Sequence, residues 1–541
     1  MPNLTPARAA LAAALLTAPL AAQTNTVAGL DTFLSNTASP TYFGRRGAAH
    51  PNGEVAMSYS YTMCNSGSVV IPWLSANSGP NPMRTVHPKF AYMVVRDTGA
   101  RMEQITDART FVKHAFGAAN SDGACGTCQN PGTNTAVGIG CSDTYGASTN
   151  ANRFWLGPAS EIDPWLGTWN PLNSYFDRGD PDVGFPQNQD GVRSLTSGTF
   201  ADAVKNRVTL RESDLLLPGR FFYCMHLIVE GEDGDLRDDN LSHREMVPSW
   251  NGTTWSFANS GVPFTNGSVL AQWAGATLDV GRNGDDDGRF FVAVKATAPP
   301  GGLYHYEYAV HDFDNGRGAA TLRIPVCSST TVANVGFRDP NGDPLDDWTW
   351  SRVGDELVFQ APVGNALEWN HLYNFWFDCD AIPASGAVVL DQAHPGAGAL
   401  SVTVPARVPA GPAAVVGMGP GCGAPAPSLA AVGLPVLGDV GFALQVGAAP
   451  GGAVLLVLAP VAAAAPLAPG CTQYVDAATL QVYGFFLADG SGAVQVPVPV
   501  PNDPLLDGRS VFWQAAEFLA SGPVLGTFAV SNGVETVFGC R

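Results

Sequence analysis

The stretch that most limits what this chain can become is residues 113–158, KHAFGAANSDGACGTCQNPGTNTAVGIGCSDTYGASTNANRFWLGP. It is rich in Gly, Asn, Ser and Thr and has no long apolar run, so it cannot bury enough surface to hold itself together. It also carries Cys125, Cys128 and Cys141. Those sulfurs are the means by which such a segment can be fixed to a scaffold. Whether they act through disulfides or through a metal decides between a structural and a catalytic role for the segment.

The scaffold has to be made of strands. The 61 Gly and 42 Pro recur along the whole chain as turn punctuation, which leaves room for short strands and breaks long helices. A chain of 541 residues also exceeds what one core supports, so several domains are expected. Runs at 57–64, 90–97 and 221–231 read as strands of a first domain, 23–246. Runs at 287–296, 303–326, 331–337, 355–362 and 372–378 read as a second domain, 247–405, an antiparallel sandwich in which Asn315-Gly316 marks a hairpin turn. From 406 to 541 the chain becomes Ala/Gly/Val/Pro-rich and lacks Lys, which predicts a small third sandwich. The expected fold is all-β: tandem antiparallel β-sandwich domains, the first with a long disulfide-tied loop insertion.

Residues 1–22 have the pattern of an export signal: one basic residue (Arg8), an apolar run from Ala9, and small residues before Gln23. No later run reaches the ~18 apolar residues that a spanning helix needs, so no transmembrane segment is expected. The net charge of −19 argues against nucleic acid or an anionic membrane as partner, since both require a basic surface. An exported chain with ten cysteines is expected to be oxidised. Cys64, Cys125, Cys128 and Cys141 fall in the first domain, Cys327 and Cys379 are expected to pair in the second, and Cys422 and Cys471 in the third. Cys224 and Cys540 are left over, either bridging domains or free.

The third domain resembles a C-terminal module found on many exported planctomycete proteins. The resemblance is carried by Gly421-Cys422-Gly423, the run 447–459, Pro469-Gly470-Cys471-Thr472, Pro501-Asn502-Asp503-Pro504 and Ser531-Asn532-Gly533. The rest of the chain is similar to a family of uncharacterised exported bacterial proteins often joined to that module. Met102-Glu103-Gln104-Ile105, Lys113-His114, the Cys125/Cys128 pair, Gly140-Cys141-Ser142-Asp143, Ser242-His243-Arg244-Glu245 and Tyr306-Glu307-Tyr308-Ala309-Val310 carry that likeness. The resemblance implies extracellular placement and β-sandwich modules, and no activity.

Four kinds of chemistry are written into the residues. Cys125 and Cys128 with Cys141, Cys64 or His114 could form a tetrahedral zinc shell, but thiolates must stay reduced, so a disulfide cluster is the expectation. A copper or zinc site could use His114 and Asp143 with His226 or His243, making a secreted metal-dependent enzyme the rival reading. Asn283, Asp285 and Asp287 match the first half of a calcium loop, although Val294 stands where its closing acid should be. Asp339, Asn341 and Asp343 form a second acidic loop of similar kind. Trp155, Trp165 and Trp169 could form a stacking platform for a polysaccharide, or simply pack their loop onto its own sandwich. Asp312 and Asp314, beside the Asn315-Gly316 turn, read as a solvated tip. No Gly-x-Ser-x-Gly or HExxH pattern is present. Together these residues indicate a secreted or cell-surface, non-catalytic binding or structural protein whose partner is an extracellular surface or matrix component.

Overall fold

The computed structural model describes residues 27–540, apart from 77–81, 184–187, 197–199, 201, 285–287, 299–301, 329 and 410–412. The expected export signal therefore lies outside the described residues, as do Asp285 and Asp287. Among the described residues no helix is long and apolar enough to cross a membrane.

The first domain is built on two nine-residue strands, Lys89–Asp97 and Arg220–Ile228, paired antiparallel with Met93 opposite Cys224. Their sequences, KFAYMVVRD and RFFYCMHLI, are apolar on both alternating sets of positions, the pattern of a strand covered on two faces. The sheet is extended on one side by Leu241–Trp250 and Trp255–Asn259, and on the other by Val112–His114 and Leu156–Gly157. On one face, Phe90, Tyr92, Val94, Phe221, Tyr223 and Met225 pack against two three-stranded sheets in a single core.

The opposite face is shared between two covers. Met93, Val95, Phe222 and Cys224 pack against Ala293, Ala309 and Leu372 of the second domain. Ala91 and Ile228 pack beneath the loop that carries Ile162, Trp169, Tyr175 and Phe176. Polar groups stitch the same junction. Gln104 Oε1 accepts from the Leu372 amide at 2.8 Å, Asn374 Nδ2 donates to Met102 O at 2.9 Å, and Trp369 Nε1 donates to Ala159 O at 3.1 Å. Arg101 forks onto Glu307 at 2.5 and 2.8 Å and lies 3.8 Å over the Trp376 ring. The first sheet continues past the expected boundary at 246/247, because Trp255–Asn259 and Thr265–Asn266 pair with Leu241–Trp250.

The second domain is a sandwich of two five-stranded antiparallel sheets around one core that includes Tyr306, Tyr308, Phe359 and Phe375. One expectation fails here. Tyr304–Asp312 and Ala319–Pro325 belong to opposite sheets, so the Asn315-Gly316 turn is a crossover between layers and not a hairpin. It is also not solvated: Asp312, Asp314 and Asn315 are fully buried. The turn lies against the first domain, and Arg289 of the second domain grips Asp314 at 2.8 Å and Asp238 of the first at 2.7 Å. Phe313 stacks near His226, ring centroids 4.3 Å apart. The third domain packs a five-stranded on a three-stranded sheet around Leu444, Leu456, Val496 and Trp513.

Four disulfides tie the chain. Cys64 is bonded to Cys125 and Cys128 to Cys141, so the Gly/Asn-rich segment is stapled to the strand Tyr61–Asn65 at one end and to itself at the other. Cys422 is bonded to Cys471 within the third domain. The expected Cys327–Cys379 pair does not exist. Cys327 is bonded to Cys540, 213 residues away, which links the second domain to the third. Cys224 and Cys379 are buried free thiols. The reason is topological: Cys327 follows a strand of one sheet, whereas Cys379 ends a strand of the other, between Tyr304 and Val332.

Because Phe222 fills the junction between the first two domains, Phe222→Ala is expected to lower stability by about 3–5 kcal/mol in urea unfolding. The loss is expected in the same transition for both domains, read by aromatic fluorescence.

Candidate functional site

The Lys113-His114 strand places two side chains in a cationic, aromatic-walled interior. His87 Nδ1 lies 3.1 Å from Leu74 O and so donates to it, which leaves Nε2 to accept from His114 Nδ1–H at 2.9 Å. His114 Nε2 then carries a lone pair that is buried and without a hydrogen-bond partner. It is held against Gly157, where an added Cβ would stand 3.1 Å away, and the ring packs on Trp169 and Phe176 at centroid distances of 5.0 and 4.8 Å. Burial, reinforced for His114 by His87 and the nearby Lys89, Arg193 and Lys113, pushes both imidazoles well below their ordinary value, so both are neutral.

The neighbouring cations are enclosed in the same way. Lys89 is buried, donates to Gly167 O at 2.6 Å, and is lowered to about 8 by burial. Lys113 is fully buried, donates to Thr149 O at 2.9 Å and lies over the rings of Phe116 and Trp155 at 4.7 and 5.7 Å. Arg193 sits over Phe154 and Phe176 at 3.7 and 4.3 Å and is lowered to about 9 by burial. The Lys and Arg side chains are held by carbonyl oxygens and ring faces. Sequence reasoning found Lys113 and His114 and missed His87, Lys89 and Arg193. The available signal was a lysine inside a run otherwise apolar on both faces, KFAYMVV.

The other members of the expected metal set stand elsewhere. Asp143 lies on the strand Ser142–Tyr145, accepts from the Ala119 amide at 3.0 Å, and is raised by burial to about 6. His243 Nδ1 is 3.1 Å from Gly267 O, and His226 packs between Phe313 and Trp369. Among the described residues, the one trio of potential ligands whose atoms lie within 4.8 Å of one another is Cys327, Asp507 and Cys540. Its two sulfurs are already bonded to each other. His114, Asp143, His226 and His243 are therefore not brought together. Cys125, Cys128 and Cys141 are likewise consumed as disulfides, which removes the thiolate zinc shell.

The side-chain oxygens of the 339–343 loop are taken up by its own backbone. Asp339 Oδ1 accepts from the amides of Asn341 and Gly342 at 3.1 and 3.0 Å, and its Oδ2 accepts from Asn365 at 2.7 Å. Asn341 Oδ1 and Asp343 Oδ1 accept from the amides two residues on, so the loop's oxygens serve its own turns. Asn283 is buried and donates to Ala399 O at 3.2 Å.

Of the two readings of the tryptophans, a stacking platform or packing of their loop, the structure shows the packing. Trp155, Trp165 and Trp169 are only 9, 8 and 4 % exposed. Trp155 stacks on Phe116 at 4.7 Å, and Trp165 is wedged between Gly234, where any Cβ would strike the ring, and the Arg237 guanidinium at 5.0 Å. Trp165 nonetheless borders a polar cleft of about 490 Å³, lined also by Leu166, Asp233, Asp235, Arg237 and Arg282. Arg282 of the second domain pairs with Asp235 of the first at 2.8 Å across its mouth.

Fold and site together define a multi-domain, disulfide-bonded antiparallel β protein. No family model matches the chain and no curated protein matches it. Among solved structures, Escherichia coli alpha-2-macroglobulin activated by porcine elastase is 9 % identical over 93 % of this chain, with a TM-score of 0.14. The native conformation of the same E. coli protein is 11 % identical over 91 % of this chain, with a TM-score of 0.13. This chain spans about a third of their length, 35 and 34 %.

The buried Asp143 gives a pH signature. The folded state raises its carboxyl from the ordinary 3.8 to about 6, so it holds the proton more tightly than the unfolded chain does. Its stabilisation is complete below the unfolded value and is lost as pH rises through about 6. Asp143→Asn is expected to match the wild type near pH 4 and to exceed it by about 2–3 kcal/mol near pH 7, measured by urea unfolding across that range.

Proposed function

We propose that this chain is a secreted or cell-surface scaffold that acts by binding or bearing load and not by catalysis. The observation that carries the reading is the Cys327–Cys540 bond, a covalent strap between two sandwiches that already have cores of their own. Such a bond adds little to the folding of either unit and much to keeping them in one orientation outside the cell. The histidines and lysines that could have done chemistry support the reading too, since they are enclosed, His114 edge-on against Trp169 and both Lys89 and Lys113 donating to backbone carbonyls inside the first domain. The export pattern at residues 1–22, the likeness to exported planctomycete proteins and the net charge of −19 favour the same compartment.

The test is a non-reducing peptide map of the mature protein. The expected result is four linkages, 64–125, 128–141, 327–540 and 422–471, with Cys224 and Cys379 alkylated only after denaturation. Native protein in which Cys125, Cys128 and Cys141 all react as thiols would overturn the reading and favour the metal-dependent enzyme.

A second reading is favoured by the cleft between the first two domains. Its Trp165 edge, paired acids and Arg282 offer the mixture of apolar surface and charged hydrogen-bonding groups that a polysaccharide strand uses. Retention on an immobilised acidic or neutral polysaccharide, lost in Arg282→Ala, is the expected outcome; equal retention of the variant removes this reading.

A further inference from the structure

The third domain carries an apolar pocket on the outside of its larger sheet, and we propose that this pocket binds the aliphatic chain of an uncharged ligand, a long-chain alcohol or ester. The register places it. Val457 is paired with Val482, and Leu455 with both Phe485 and Ala516, so these side chains share one face. Val454, Leu456 and Phe486 turn the other way into the core. The outer face would be an ordinary polar surface if the sandwich ended there. Instead the hairpin of Ala462–Ala468 and Cys471–Val475, anchored through Cys422–Cys471, brings Leu467 and Val475 over it. The space left between them is about 250 Å³. A dry apolar cavity of about 150 Å³ already takes up benzene.

What the pocket lacks selects its ligand. Among the described residues no charged side chain lines it, and the side-chain NH2 groups of its two polar residues are hydrogen-bonded within the domain. Gln514 Nε2 donates to Thr472 O and Ser531 O at 2.8 and 2.9 Å while its Oε1 accepts from the Tyr474 amide at 2.9 Å. Gln473 Nε2 donates to Val475 O at 2.8 Å. Between residues 408 and 540 the sole basic residue is Arg509, five positions before Gln514 and outside its strand, and the chain as a whole carries −19. A carboxylate or phosphate brought to this wall would be desolvated with no counter-charge.

The rim extends the apolar path. Val482, Phe485 and Leu487 are 54, 67 and 72 % exposed, and Phe518 bridges Phe485 and Phe528 at centroid distances of 6.3 and 4.8 Å. Exposed apolar side chains gathered in one place on a strongly acidic protein mark a contact surface and not general solubility. A chain entering the pocket would leave its remaining methylenes along this ladder.

The test is equilibrium binding of 1-decanol and of decanoate to the full-length protein. The expected result is saturable uptake of one decanol per chain and at least about tenfold weaker binding of decanoate. Ala516→Phe, which fills the pocket from the sheet, is expected to weaken decanol binding about tenfold or more while leaving the melting temperature unchanged. Leu480→Asp, at the partly exposed mouth, gives the same loss without touching the sheet and serves if the first variant folds poorly. Absence of saturable decanol uptake, equal binding of decanoate, or wild-type affinity in Leu480→Asp would overturn the proposal. So would a dimer in light scattering that takes up no decanol, because the occupant would then be a second copy of the chain.

Discussion

The structure depends on two strands, Lys89–Asp97 and Arg220–Ile228, that have no solvent face. An antiparallel sheet with one dry face can end a domain, but a sheet dry on both faces needs a layer on each side. One layer comes from the first domain's own small sheets. The other is divided between the aromatic loop and a sheet of the second domain, with Phe222 and Cys224 meeting Ala293, Ala309 and Leu372. The two N-terminal domains are therefore one packed body. The loop that carries Ile162, Trp169, Tyr175 and Phe176 is a cover on that body.

This packing explains where the charged groups went. Covering the second face also covers whatever titratable groups the strands carry, which is how Lys89, Lys113, His87, His114 and His226 come to be enclosed. Desolvation favours the neutral imidazoles and weakens the lysines, and carbonyl oxygens and ring faces supply what counter-ions do not. Asp312 and Asp314 are enclosed from the other side of the junction, where burial raises the Asp312 carboxyl and Arg289 pairs with Asp314. The disulfides join what the sheets do not: two hold the Gly/Asn-rich segment and one holds the third domain to the second.

Much of the fold is legible in the sequence because strands announce themselves locally. Runs such as FAYMVVRD and LYNFWFD need only period and composition. What is not legible depends on which surfaces meet. Asn315-Gly316 has the chemistry of a hairpin turn, but the chain crosses between sheets there, with Asp314 held by Arg289 and Asp312 by the Asn315 amide instead of water. Proximity in sequence suggests a Cys327–Cys379 pair, whereas sheet membership separates the two and a return from the far end of the chain supplies Cys540. At the candidate site Lys113 and His114 stand out as a pair, but His87 cannot be linked to them without knowing that strands Lys89–Asp97 and Val112–His114 are neighbours.

The central claim, that the first two domains form a single body across a doubly covered sheet, is tested most directly by hydrogen exchange of the intact protein in mild denaturant, read by mass spectrometry. The account predicts that amides of the strands Lys89–Asp97 and Arg220–Ile228 exchange in the same correlated step as those of Tyr304–Asp312 and His371–Cys379. Exchange of the first pair in an earlier, separate step, with the second domain still protected, would contradict it.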